Sequence, residues 1–153
     1  MIKINTITYN KAWYRYLKNP ENFIEKKIIC LNKKYKKYKK KEIYCTLLLS
    51  NDREIKKLNK KFRKKNKSTD VLSFPFYSKK NLQYKLRKDK EVYLGDIIIN
   101  LSKINEKRNT DFELEFNRLW VHGLVHLFGY DHKKNKDFHT MARFEKKILS
   151  YLN

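Results

Sequence analysis

Three of the four histidines of this chain lie in one short segment, HGLVHLFGYDH, which runs from His122 to His132. His122 and His126 are one helical turn apart, which places both imidazoles on one face of a helix, about 6 Å apart along its axis. A continuous helix would place His132 about 15 Å from His122, too far to bind the same ion. Gly129 suits the left-handed conformation that ends a helix. The spacing therefore predicts that the helix ends near Gly129 and that His132 folds back toward the other two.

Three converging imidazoles indicate a metal site, because burying an imidazole without a partner costs free energy. Three protein ligands leave one position of a tetrahedral ion open to water, which is typical of catalytic zinc. We therefore predict one Zn²⁺ per chain, although nickel, copper and cobalt also suit three imidazoles. The alternative is three separate core or surface histidines. The fourth histidine, His139, is predicted to lie on the surface.

The same spacing occurs in metalloproteases with the pattern H-E-x-x-H-x-x-G-x-x-H. In those enzymes the glutamate after the first histidine is the general base, and here that position is Gly123. The pattern thus indicates the metal geometry without the means of peptide hydrolysis, so a metalloprotease is a minor alternative. Asp131 is interpreted either as a residue that orients a ligating imidazole or as a simple turn residue.

Alternating and apolar segments predict four strands: residues 2–9, Glu42 to Ser50 in the sheet interior, Val71 to Phe76, and Tyr93 to Asn100. Pro75 should end the third strand or place it at an edge. Strands and helices without regular alternation indicate an α+β fold. We predict a single domain over residues 1–153, with a mixed β-sheet of about four strands, about five helices and a zincin-like metal helix.

Capping residues and apolar periodicity locate the helices. One begins at Asn19-Pro20, and another begins after Asn51 with Ile55, Leu58 and Phe62 on its buried face. A short helix is predicted near Ser102 to Arg108, and Lys79 to Lys90 is predicted as a charged loop. Thr110 with Glu113 is predicted to cap the metal helix, and Asp137 the last helix. The metal helix should be buried almost all round, through Leu114, Leu119, Trp120, Val121, Leu124, Val125, Leu127 and Phe128.

A net charge of +22 makes polyanions, and nucleic acid above all, the expected partner. The bias of an AT-rich genome toward lysine is an alternative origin of the charge. The segment Lys33 to Lys41, KKYKKYKKK, is interpreted either as a solvated helix end or as a phosphate-binding patch whose tyrosines stack on bases. Cys30 and Cys45 lack metal-ligand spacing and are predicted to be buried, reduced thiols. With no apparent signal peptide or membrane span, we expect a cytoplasmic protein.

The histidine segment resembles the motif H-G-x-L-H-L-x-G-Y-D-H of the YbeY family, the endoribonucleases also called rRNA maturation factors. The resemblance extends to Leu58-Asn59, Phe62-Arg63 and the stretch from Thr69 to Pro75. It includes Leu94 to Ile97 and, loosely, Met141 to Leu149. Val125 departs from the family's usual leucine.

This resemblance implies a metal-dependent endoribonuclease specific for single-stranded RNA. It implies a role at the small ribosomal subunit, in maturing the 3′ end of its RNA and in ribosome quality control. It also implies that His122, His126 and His132 bind zinc and that Arg63 contacts RNA phosphate in the active-site cleft. Two rival functions are a non-enzymatic ribosome-assembly factor with a structural metal and a plain basic RNA-binding module.

Overall fold

The computed structural model describes residues 1–105 and 111–153, which form a four-stranded mixed sheet covered by helices. The strands are β1 (Ile2–Thr8), β2 (Glu42–Ser50), β3 (Val71–Pro75) and β4 (Glu91–Asn100), in the spatial order β1-β2-β4-β3. β2 is parallel to both β1 and β4, whereas β3 runs antiparallel to β4 at the sheet edge. The predicted α+β class and mixed sheet are therefore confirmed, and Pro75 lies at the end of an edge strand as expected.

The described residues contain six α-helices and one 3₁₀ helix (Lys11–Arg15). The α-helices are α1 (Pro20–Lys34), α2 (Asp52–Arg63), α3 (Lys79–Lys88), α4 (Leu101–Asn105), α5 (Phe112–Leu127) and α6 (Asn135–Leu149). None of these described helices is both long enough and apolar enough to cross a bilayer.

Helix α3 occupies the segment predicted as a charged loop, and that prediction is wrong. The Ser78 side chain caps the helix by accepting a hydrogen bond from the Asn81 backbone N–H at 3.3 Å. Leu82 is buried in the main core, with Leu86 packed against it. Tertiary burial of this one leucine face stabilises a helix whose lysine-rich sequence gives a weak apolar periodicity.

The two faces of the sheet are covered unequally. The main core lies on the inner face, where α1, α5 and α6 contribute Ile24, Trp120 and Met141. On the outer face a small cluster of Ile55, Leu72 and Ile98 joins α2 to the sheet. Only α2 packs there among the described helices, so part of the outer face is open to solvent.

Several predicted burials are wrong. Phe62 is 58 % exposed and Leu114 is 68 % exposed. Cys45 is buried but Cys30 is only half-buried, and both are free thiols. The tyrosines of the Lys33 to Lys41 segment, Tyr35 and Tyr38, pack against the main core, so their rings are not available for stacking on bases.

The helix starts also differ from the predictions. Asp111 caps α5, its side chain accepting a hydrogen bond from the Leu114 backbone N–H at 3.0 Å. The cap predicted at Thr110 lies outside the described residues, as does the end of the short helix predicted to reach Arg108. Helix α6 begins at Asn135 without a side-chain cap, and Asp137 lies in its first turn.

Strand β4 contains one more residue than β2 between two paired positions. Tyr44 pairs with Tyr93 and Thr46 pairs with Asp96, so β4 advances three residues where β2 advances two. Gly95 lies in this bulge with φ +130°, and a Cβ there would lie 2.1 Å from the Phe74 carbonyl oxygen. Glycine is therefore required at the bulge by both conformation and space.

Candidate metal centre

Helix α5 places the first two histidines side by side. The Nε2 atoms of His122 and His126 are 3.1 Å apart, and their rings are nearly perpendicular. The helix is fixed in the core by fully buried residues on either side of each histidine, among them Val121 and Val125. The face shared by the two imidazoles is thus held rigidly by packing.

Gly129 ends the helix as predicted, and the chain turns there so that His132 lies near His122 and His126. Its φ is +86°, its backbone N–H donates to the His126 carbonyl at 2.9 Å, and the Tyr130 N–H donates to the Val125 carbonyl at 3.3 Å. The ring of His132 then lies with its centroid 5.1 Å from that of His126 and 5.9 Å from that of His122. One nitrogen from each histidine lies within 4.8 Å of the others. The predicted convergence is therefore observed.

The second nitrogen of each helical histidine faces an acceptor. His122 Nδ1 contacts the carboxylate of Glu145 on α6, and His126 Nδ1 donates to the Tyr130 carbonyl at 3.0 Å. With a ring hydrogen on each Nδ1, the lone pair of each imidazole lies on Nε2, the nitrogen that faces the other histidine. Two lone pairs this close repel each other, and a cation bound by both nitrogens removes that repulsion. The donor set therefore fits a divalent metal.

Burial favours the neutral form of His126 that metal binding requires. Desolvation lowers the pKa of this imidazole, and the neighbouring His122 lowers it further. A neutral imidazole offers its Nε2 lone pair to an ion without first losing a proton.

Asp131 does not orient an imidazole. Its carboxylate accepts a hydrogen bond from the His132 backbone N–H at 2.7 Å, so the turn-residue interpretation holds. The side chain that does contact one of the candidate ligands, Glu145 beside His122, is absent from the sequence-based prediction. Its only signal in the sequence is an acidic side chain between Met141 and Ile148, the buried residues of α6.

Arg63 reaches the histidines from the other side of a cavity of about 250 Å³. It is the last residue of α2, where the left-handed Lys64 ends the helix. Its Nη2 donates to the Ser73 carbonyl at 3.0 Å, which fixes the guanidinium beside β3. The lining residues are Arg63, Thr69, Asp70, Val71, Ser73, His122, His126 and His132. The cavity thus combines a cation-binding set with an arginine that suits an anion.

Gly123 packs against the sheet and does not face the cavity. A Cβ at this position would lie 2.6 Å from Ile97 Cγ2 and 3.2 Å from Ser73 Oγ. Metalloproteases have their general base at this position, whereas here the position lies where α5 packs closely against β4. The structure has no room for a glutamate at this point, which argues against the metalloprotease alternative.

Comparison with known proteins gives a consistent result. The family model described as Endoribonuclease YbeY matches residues 9–153. A protein of Pelagibacter ubique named Endoribonuclease YbeY is 41 % identical, over 99 % of this chain and 97 % of that protein. One of the same name from Ehrlichia canis is 34 % identical, over 99 % and 93 %. The solution structure of a Thermotoga maritima protein superimposes with a TM-score of 0.53 at 25 % identity, over 98 % of this chain and 90 % of that one.

Proposed function

The chain belongs to the endoribonuclease YbeY family, and from that membership we propose a metal-dependent endoribonuclease that cuts single-stranded RNA. Its proposed substrate is ribosomal RNA, at the 3′ end of the small-subunit RNA, and its proposed partner is the small ribosomal subunit, where it also serves quality control. The proposed location is the cytoplasm, in keeping with the free thiols of Cys30 and Cys45.

The observation that most supports metal dependence is the pair of facing Nε2 atoms on His122 and His126, with His132 completing the set. These three residues would hold one Zn²⁺. When bound, such an ion supplies a Lewis acid that polarises a phosphate and acidifies water. Glu145 and the Tyr130 carbonyl each face an Nδ1, so Nε2 is the nitrogen that each of these two rings turns toward the ion.

Arg63 has the proposed role of binding the phosphate. Its planar fork of donors matches a phosphate, and its hydrogen bond to Ser73 holds it at the rim of the histidine cavity. Negative charge that develops on the phosphate oxygens during cleavage would be stabilised by this fixed positive charge. The exposed lysines that surround it on and after α2 would attract the strand without reading its sequence: Lys56, Lys57, Lys60, Lys61, Lys64, Lys65 and Lys67.

The central test measures bound metal and RNA cutting in the same protein preparations. His126→Ala should lose both the metal, counted by mass spectrometry, and the cutting of an unstructured RNA oligonucleotide. The matched control is His139→Ala, which removes an exposed histidine and should retain both. Cutting by His126→Ala at the rate of the unaltered protein would mean that another centre, or a contaminating nuclease, is responsible.

Arg63→Ala separates the nuclease from a non-enzymatic assembly factor with a structural metal. The variant should keep its metal and lose about 10²- to 10³-fold in cutting rate, as expected when a fixed donor to developing charge is removed. An assembly factor without activity would instead show no cutting by the rigorously purified unaltered protein and ribosome association that survives the substitution.

A further inference from the structure

Five aromatic rings lie on the open part of the outer sheet face and beside it. We call this set the aromatic face: Tyr44, Phe62, Phe74, Phe76 and Tyr93. Phe76 is 64 % exposed, Phe62 is 58 % exposed and Tyr44 is 41 % exposed. Grouped exposed apolar side chains indicate a binding surface, whereas single ones do not.

The rings of the aromatic face hold one another in position. Phe62 lies edge-on to Phe74 at 5.4 Å between centroids, and Phe76 lies edge-on to Tyr93 at 5.6 Å. Tyr44 lies 5.3 Å from Tyr93 on the neighbouring strand. The Tyr93 hydroxyl donates to the Asp96 carboxylate, which fixes that ring. The face is therefore ordered before any ligand arrives, which lowers the entropy cost of binding.

Arg63 connects the aromatic face to the histidine cavity. Ser73 and Phe74 are adjacent on β3, so their side chains point to opposite sides of the sheet. Arg63 contacts both residues, with its Nη2 3.0 Å from the Ser73 carbonyl and its guanidinium carbon 5.8 Å from the Phe74 ring centroid. Arg63 also lines the histidine cavity, and β3 is an edge strand, so the guanidinium lies at the sheet edge between the cavity and the aromatic face.

A groove of about 460 Å³ lies on the outer sheet face at one end of the aromatic face, where Phe62 and Phe74 both line it. Its walls are mainly apolar, and Lys61 Nζ lies 5.2 Å from the centroid of the Phe62 ring. Two carboxylates, those of Glu54 and Asp96, also line the groove and can accept hydrogen bonds from N–H groups of a ligand. The groove thus suits a flat apolar ring with N–H groups at its edge. Arg63 lies outside the groove but within 5.8 Å of the Phe74 ring that lines it, so it can bind an anion joined to such a ring.

We propose that the aromatic face stacks unpaired bases of an RNA strand whose phosphate is bound by Arg63 at the histidine cavity. The inference rests on the proposed function for the identity of the strand. An unpaired base has both a π-face for the rings and N–H or carbonyl groups at its edge, and its backbone supplies the anion. Continuity through Arg63 favours RNA over an apolar peptide, which would leave the guanidinium and the lysines of α2 without anionic partners.

The test compares two eight-nucleotide strands with the same uncleavable backbone, 2′-O-methyl phosphorothioate, one with bases and one fully abasic. The unaltered protein should bind the strand with bases about five- to 150-fold more tightly, the range that stacking gives per base. The double variant Phe62→Leu, Phe76→Leu keeps the apolar character and the net charge but removes two rings. It should lose most of this preference and bind the abasic strand as before, as measured by fluorescence anisotropy.

Two matched variants complete the design. Tyr84→Leu removes an aromatic ring that is 55 % exposed on α3, away from the aromatic face, and should change nothing. Phe62→Tyr with Phe76→Tyr restores two rings and should restore the preference. Because all three substituted positions are exposed, thermal melting should show that every variant folds.

Equal binding of both strands by the unaltered protein would overturn the stacking proposal, as would an equal loss on both strands in the leucine variant. If the unaltered protein cuts RNA but binds both strands equally, only the stacking proposal is wrong and the proposed function is supported. If it prefers the strand with bases but cuts no RNA, the proposed function is wrong and the proposal that the aromatic face stacks bases is supported. A dimer that dissociates in the leucine variant, with unchanged RNA binding, would assign the face to a second copy and reject the proposal.

Discussion

Glu145 is the side chain that fixes one of the proposed metal ligands through its second nitrogen. Glu145→Ala should leave the His122 ring without this acceptor and weaken zinc binding about ten- to 100-fold, as expected for the removal of such a partner. Competition with a coloured zinc chelator measures the affinity. Cutting should fall when zinc is scarce and recover when zinc is in excess.

Two further variants test whether Glu145 acts through His122. Glu145→Gln keeps an oxygen acceptor and should restore part of the affinity. Asp131→Asn changes a carboxylate that caps a turn and does not contact a ligating ring, so it should bind zinc almost normally. Zinc affinity unchanged in Glu145→Ala would show that packing alone orients His122.

The residues of the site differ in how well the sequence predicts them. His122, His126 and Gly129 are linked by local helical geometry, so their spacing is sufficient to predict the convergence with His132. Arg63 is predicted only through family resemblance, since nothing in its local spacing relates it to the histidines. Glu145 contacts His122 across the packing of α6 on α5, and such a contact has no local signature in the sequence.

Gly123 determines how closely α5 can approach the sheet. Gly123→Ala places a methyl group against Ile97 on β4, and a well-packed core tolerates such an addition poorly. We expect a decrease of about 1–3 kcal/mol in the free energy of unfolding, measured by urea denaturation. Leu114→Ala on the exposed side of the same helix is the control and should lose little stability. A Gly123→Ala variant as stable as the unaltered protein would mean that the added methyl group costs no more than the roughly 1 kcal/mol that alanine gains over glycine within a helix.

At the level of elements, the sequence predicts strands better than lysine-rich helices. β2 and β4 are strongly apolar, and their interior positions follow from that composition. Helix α3 is not predicted because Leu82 and Leu86, which form most of its buried face, are too few among cationic residues to give a clear helical periodicity. The exposure of Phe62 escapes prediction because helical periodicity gives the direction of a side chain and not how far the sheet extends beneath it.

The net charge of +22 raises the question of whether the lysines act at particular places or only as a diffuse charge. Replacing Lys60, Lys61 and Lys64 with glutamine removes three exposed charges beside Arg63. The dependence of RNA affinity on salt should become shallower, by about 0.7 in the log–log slope for each phosphate that the variant no longer neutralises. Binding titrations at several salt concentrations measure this slope.

The matched control removes the same charge elsewhere. Lys11, Lys18 and Lys26 are exposed on the 3₁₀ helix, before α1 and on α1, respectively. Both helices pack on the inner face of the sheet, and replacement of these lysines by glutamine should leave the slope nearly unchanged. Equal slopes in the two triple variants would mean that charge position is irrelevant. The basic composition would then be better explained by genome bias.

The bulge at Gly95 also determines which side chains of β4 lie on the outer face of the sheet, before and after the bulge. Side chains an odd number of positions apart on a regular strand point in opposite directions, and Tyr93 and Asp96 are three apart. The additional residue converts this odd interval into an even one, so both side chains emerge on the same side and can bond to each other. The bulge that Gly95 permits therefore reverses which alternate residues of β4 face the core. Without the bulge, the first half of β4 would place Tyr93 in the core and expose Val92 and Leu94 to solvent.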